Sequence, residues 1–228
     1  TGQAYFGLES GLENNPRRPI TNDAADTFFK ELGFKPRETG DFGTTVIVPD
    51  CSFKISDLGK AIEKWWWPLI NDTQSEGNLT FHLEDEEGNI HAPEPMKNKT
   101  LRDYIHTYRN AVAGISDDAS TNKEINVQTP TRKKTGQLNL RVLPRNTAET
   151  NLHNAIAFIR EGLVIQYNDT SFSENERSFI GVFKASSEFE KYFVFSEPEA
   201  HDEWNEHADR LKTTLPEDGQ RLIKNTKN

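Results

Sequence analysis

The chain has 228 residues, enough to bury one large core or two small ones, with 34% hydrophobic and 28% charged residues and a formal net charge of −9. That acidic balance speaks against broad, sequence-independent binding to nucleic acid, which needs a surplus of Lys and Arg on the contact face, and leaves only a local basic patch for such a role. The single cysteine, Cys51, excludes an intramolecular disulfide and a multi-cysteine zinc site, and no apolar run approaches the ~20 residues of a membrane-spanning helix.

Residues 1–20 are rich in Gly, Asn, Pro and Arg, show no sustained period, and read as an irregular lead-in. Asn22 then caps a helix whose apolar face uses Ala25, Phe28, Phe29 and Leu32, with Gly33 placed to end it. The β-branched run Val46, Ile47 and Val48, stopped by Pro49, predicts a short buried strand. Ser56 and Asp57 start a second helix with Leu58, Ile62, Trp65, Trp66 and Leu69 on one face, which Pro68 should end or bend. Alternation at Leu79, Phe81 and Leu83 before the turn-rich Glu86-Glu-Gly-Asn89 predicts a hairpin. Thr100 caps a third helix bearing Leu101, Tyr104, Ile105, Tyr108 and Val112, closed at Gly114.

Residues 115–123, apolar only at Ile115 and Ala119, read as a flexible crossing. Strand-like stretches follow at 124–129, 137–143, 154–160, 163–167 and 179–184, the third and fourth separated by Glu161-Gly162. Helical patterns return at 187–195 and 203–213, and the polar stretch from Glu217 onward is expected to fray. Together these predict an α+β architecture with mixed or antiparallel sheets and packed helices, divided into residues 1–114 and 115–228.

Several side-chain groups invite chemistry, each with a plainer alternative. His201, Asp202 and Trp204, with Glu197 and His207 nearby, could ligate a metal or move protons, but the spacing fits no standard zinc motif. The structural alternative has Asp202 capping a helix and Trp204 packing beneath it. Cys51 carries no nucleophile signature around it and reads as a packing or incidental residue. Trp65, Trp66 and Trp67 are consecutive, so they point in different directions on a helix and form either an interaction surface or the filling between two layers.

The segment Asp41-Phe-Gly-Thr-Thr-Val-Ile-Val-Pro49 pairs Gly43 and Thr44 at a strand entrance. Glycine permits close backbone approach there, and a hydroxyl beside it can hydrogen-bond a buried carboxylate, although a turn feeding a sheet uses the same pair. Read with Arg18-Pro19, Ala24-Ala-Asp26, Leu32-Gly33, Arg37, the tryptophan helix and Gly77-Asn-Leu-Thr80, and with the later Ile159-Arg-Glu-Gly-Leu-Val-Ile-Gln-Tyr167, Gly181-Val-Phe183 and Glu197-Pro-Glu-Ala-His-Asp-Glu-Trp204, the chain resembles uncharacterised bacterial members of the gyrase, heat-shock chaperone, histidine kinase and MutL superfamily. The resemblance spans roughly residues 5–210 and matches the end of the nucleotide-binding domain followed by a transducer-like region. It implies a coupling module that relays ATP binding to dimerisation or partner engagement.

The same resemblance implies that Gly43 and Thr44 lie near the nucleotide, and that a basic residue returns from the transducer to its phosphates. Lys133, Lys134, Arg160 and Lys184 are the candidates, with Arg132 beside them. The Glu and Asn that activate water and bind magnesium, and the Asp-x-Gly adenine motif, are not found in the chain, whose only Met is Met96. The expectation is a fragment that binds no cofactor by itself, inactive alone, from a parent ATP hydrolase using ATP and Mg. Its partners would be a second copy or another protein, with no membrane role and a cytoplasmic location. The alternative is a non-enzymatic interaction module that works through Trp65, Trp66 and Trp67 or through the basic loop.

Overall fold

The computed structural model describes residues 8–12, 15–35, 38, 40, 42–44, 48, 51–70, 79–114, 120–126, 134–143, 152–169, 178–199, 202–215 and 218–227. The chain divides into two compact units, Thr1–Cys51 and Ser52–Asn228. The division expected after residue 114 falls inside the second unit.

The first unit holds an antiparallel pair, β1 (Leu8–Leu12) with β2 (Asn15–Arg18), and the helix α1 (Asn22–Glu31). The lead-in expected to be irregular therefore contains two short strands. Gly33 ends α1 with φ +84°, a left-handed turn that glycine adopts without steric cost. The cap is Thr21 rather than Asn22, and none of α1's residues is buried. Of the strand expected at 46–48, residues 46 and 47 lie outside the described residues, and Val48 is exposed and outside any strand.

The second unit begins with α2 (Ile55–Ile70), the short hairpin β3 (Leu83–Glu84) and β4 (Ile90–His91), and α3 (Lys99–Ala113). Asp85 organises the hairpin turn: one carboxylate oxygen accepts from the backbone N–H groups of Glu87 and Asn89, the other from Asn89 Nδ2 and His91 Nε2. Asn98, not Thr100, caps α3, its side chain accepting from the N–H groups of Thr100 and Leu101. Gly114 closes the helix in the left-handed conformation expected of it.

A five-stranded sheet follows, built from β5 (Ser120–Asn126), β6 (Lys134–Val142), β7 (Ala155–Arg160), β8 (Leu163–Asp169) and β9 (Phe179–Ala185). Its order is β5-β6-β9-β7-β8, antiparallel except for the parallel pair β7 and β9. Residues 120–123, expected as a flexible crossing, belong to the edge strand β5. Glu161 and Gly162, both at positive φ, turn β7 directly into β8. A Cβ on Gly162 would lie 2.5 Å from Leu69 Cδ2, so α2 packs closely against this turn.

Alternation along the strands sends side chains to two helical layers, giving the expected α+β fold. One face packs Ala157, Ile159, Ile180 and Val182 against Trp67 of α2 and Leu101, Tyr104 and Ile105 of α3. The other packs Phe158, Ile165 and Phe183 beneath α4 (Glu190–Ser196), α5 (Asp209–Thr214) and α6 (Asp218–Lys227). The C-terminal stretch expected to fray is instead α6, which buries Leu222 and Ile223 in that second core.

Pro68 does not end α2, which runs on to Ile70. Pro68 has no N–H for the Lys64 carbonyl four residues back. The Tyr167 hydroxyl of β8 donates to that carbonyl at 2.6 Å and accepts from Trp67 Nε1 at 2.9 Å. The helix continues to Ile70 with Trp67 and Pro68 facing inward, while Leu58, expected on the buried face, is exposed.

Candidate functional site

Because β9 runs antiparallel to β6 and parallel to β7, the start of β6 and the ends of β7 and β9 meet at one end of the sheet. Gly136 pairs with Ala185, and Ile159 with Lys184. Lys134, Arg160 and Lys184, far apart in sequence, consequently line one open cavity of about 470 Å3 together with Gln137, Glu161 and Glu190. Ala111 and Val112 of α3 supply its apolar wall. Its narrowest support is Gly136, where a Cβ would lie 2.3 Å from Phe183 Cζ and 2.5 Å from the Lys184 carbonyl oxygen.

The three cations are held differently. Lys184 is exposed, its ammonium 5.9 Å from the centre of the Tyr108 ring, a contact that orients the chain without neutralising it. Lys134 is half-buried at the first position of β6. Arg160 is clamped: Nε and Nη2 donate to the two oxygens of Glu197 at 2.8 and 3.0 Å, a bidentate pair. Glu197 has no exposed side-chain surface and also accepts from Trp204 Nε1 at 3.1 Å. On its other side Arg160 Nη1 donates to Glu161 at 2.9 Å and to Glu190 at 3.4 Å. Burial disfavours the Arg160 charge, but the Glu197 hydrogen bond and the neighbouring carboxylates outweigh it and raise the guanidinium pKa.

Glu190 is pushed up from its ordinary carboxylate value, first by the hydrogen bond with Glu161 and then by burial and the Glu161 charge, against the opposing pull of Arg160. The cavity thus sets Lys184, beside Tyr108 of α3, against the Glu161 and Glu190 carboxylates around Arg160. The lysines and the outward nitrogen of Arg160 are groups that bind phosphate oxygens.

Gly43 and Thr44 are exposed in the first unit, and Arg132, Lys133 and His201 lie outside the described residues. Trp67 is wholly buried, whereas Trp65 and Trp66 are half-buried against Tyr167 and Phe81, with ring centres 5.5 and 5.9 Å apart. Trp204 is fully buried among Phe158, Phe183 and Phe193, in line with its packing alternative. Asp202 caps nothing, since residues 202–205 are not helical and α5 begins at Asp209. Glu197 is the partner of Arg160, and Cys51 is exposed rather than packed.

Sequence reasoning did not connect Arg160 with Glu197 or Glu190. The available signal is an arginine at a strand end, but 37 residues separate Arg160 from Glu197. Among the described residues, no group of three or more His, Cys, Asp or Glu side chains is placed to hold a metal ion, and no helix is long and apolar enough to cross a membrane. No family model, curated protein or solved structure matches the chain.

Proposed function

We propose that the chain is the coupling part of a gyrase-like ATPase, in which ATP held by a nucleotide-binding region is sensed by Lys134 and Lys184 and relayed to dimerisation or partner engagement. The observation that carries this reading is the convergence of Lys134, Arg160 and Lys184 on one open cavity at the end of the sheet. A phosphate contacting Lys184 gains a charge-assisted hydrogen bond from an exposed ammonium beside the Tyr108 ring. Sheet strands β6 and β9 lie rigidly between the two helical layers, so a force at their ends is shared by both layers. ATP and Mg would be cofactors of the parent protein, with a cytoplasmic location.

The reading in which the tryptophan helix docks a partner has less support, because Trp67 fills the core and Trp65 and Trp66 pack on Tyr167 and Phe81. The test is ATP hydrolysis by a polypeptide that carries this chain together with its nucleotide-binding region. Lys184→Ala is expected to lower kcat by about ten-fold or more, the scale of one lost phosphate contact. Lys191→Ala, a change of an exposed lysine on α4, should leave it unaltered. Equal rates for wild type and Lys184→Ala would reject the assignment.

A further inference from the structure

Arg160 has two unlike sides. Toward the core, Nε and Nη2 are fixed on Glu197, which is fully buried and also bonded to Trp204. Toward the cavity, Nη1 meets two carboxylates that reach water: Glu161, 65% exposed at its side chain, and Glu190, 31% exposed and at the long distance of 3.4 Å. Exposed ion pairs contribute little and exchange readily, whereas breaking a buried pair strands a charge. The inner side is therefore permanent and the outer side replaceable.

From this asymmetry we infer that Arg160 Nη1, Lys184 and Lys134 form a latent oxyanion site, which a phosphate group fills by displacing Glu161 and Glu190 while Glu197 stays in place. The displaced residues sit on different elements, Glu161 in the β7–β8 turn and Glu190 at the first position of α4. Filling the site unties the turn from α4, which makes it a switch as well as a sensor. No covalent step is involved, only exchange of hydrogen-bond acceptors around one guanidinium. The biological ligand follows from the coupling reading, but the anion site has a test of its own.

That test is a titration of the 228-residue chain with tripolyphosphate at fixed ionic strength, followed by NMR at the Arg160 Nη–H groups and the Trp204 indole N–H. The Arg160 signal is expected to move and the Trp204 signal to stay, because Glu197 keeps both partners. Glu190→Gln and Glu161→Gln should each tighten binding roughly three-fold or more by removing a competing carboxylate, and Lys184→Ala should weaken it by a similar factor. A non-hydrolysable ATP analogue run in parallel should bind as tripolyphosphate does, since phosphate alone is read. Unchanged affinity in both glutamine variants, a static Arg160 signal, or binding of the nucleotide only would overturn the inference. Weakening by Lys184→Ala with no effect of either glutamine leaves the lysines of the coupling reading standing and removes the switch. Absence of tripolyphosphate binding in every variant also removes the switch, and ATP turnover in Lys184→Ala then judges the coupling reading separately.

Discussion

Tyr167→Phe tests the account of how a proline is held inside α2. The substitution keeps the ring against Trp65 and Tyr104 but deletes the hydroxyl that serves both the Lys64 carbonyl and the Trp67 indole N–H. Each group left without a partner in a part-buried setting costs about 1–3 kcal/mol, so the pair predicts a loss of about 2–4 kcal/mol after partial relaxation. For a unit of this size each kcal/mol lowers Tm by roughly 2–4 °C. The assay is urea unfolding at neutral pH followed by far-UV circular dichroism, analysed by linear extrapolation. Pro68→Ala supplies the missing N–H, so the cost of Tyr167→Phe should shrink by about 1 kcal/mol or more in that background. A Tyr167→Phe chain within about 0.5 kcal/mol of wild type, or an equal loss with and without Pro68, would refute the reasoning.

Ile223→Ala should destabilise the second unit by about 2–4 kcal/mol, because Ile223 is fully buried in the core beneath α6, and a frayed C-terminus would show no change in the same urea experiment. Asp85 is lowered from 3.8 to about 2, first by its His91 hydrogen bond and then by Asn89, so its contribution to the hairpin is present above its ordinary value and lost as pH falls through about 2. An NMR titration of the Asp85 carboxyl carbon checks this, a midpoint at 3.8 being the contrary result. For Glu190 the sign is opposite: its raised pKa means that the folded state holds the proton more tightly, so stability falls as pH rises from the ordinary value of 4.5 through the raised one. Glu190→Gln should remove that slope in urea midpoints measured from about pH 4 to about pH 7, and parallel curves for the two chains would contradict it.

The legible part of this fold was written in local signals. The Glu161-Gly162 turn, the Gly33 and Gly114 helix ends and the apolar runs of the central strands each depend on residues close in sequence, and the structure has them near the expected positions. What failed depended on distant partners. The passage of α2 through Pro68 draws on Tyr167, 103 residues from the carbonyl it satisfies. The helix α6 has few apolar residues, but Leu222 and Ile223 are one turn from Gly219, whose missing side chain admits Leu211. Residues 120–123 are polar because an edge strand tolerates polar residues that a central strand does not. At the candidate site, charge marked Lys134, Arg160 and Lys184, but only the interleaving of β9 between β6 and β7 brings them together. The clamp on Arg160 was hidden because Glu197 sat in a segment whose histidines suggested other chemistry.

The most direct test of coupling is sedimentation velocity of the polypeptide that carries this chain with its nucleotide-binding region, with and without a non-hydrolysable ATP analogue. The account predicts that the wild type dimerises with the analogue, while Lys134→Ala/Lys184→Ala binds it with a Kd within a few-fold of wild type yet stays monomeric. Dimerisation of the double variant to the wild-type extent would contradict the account.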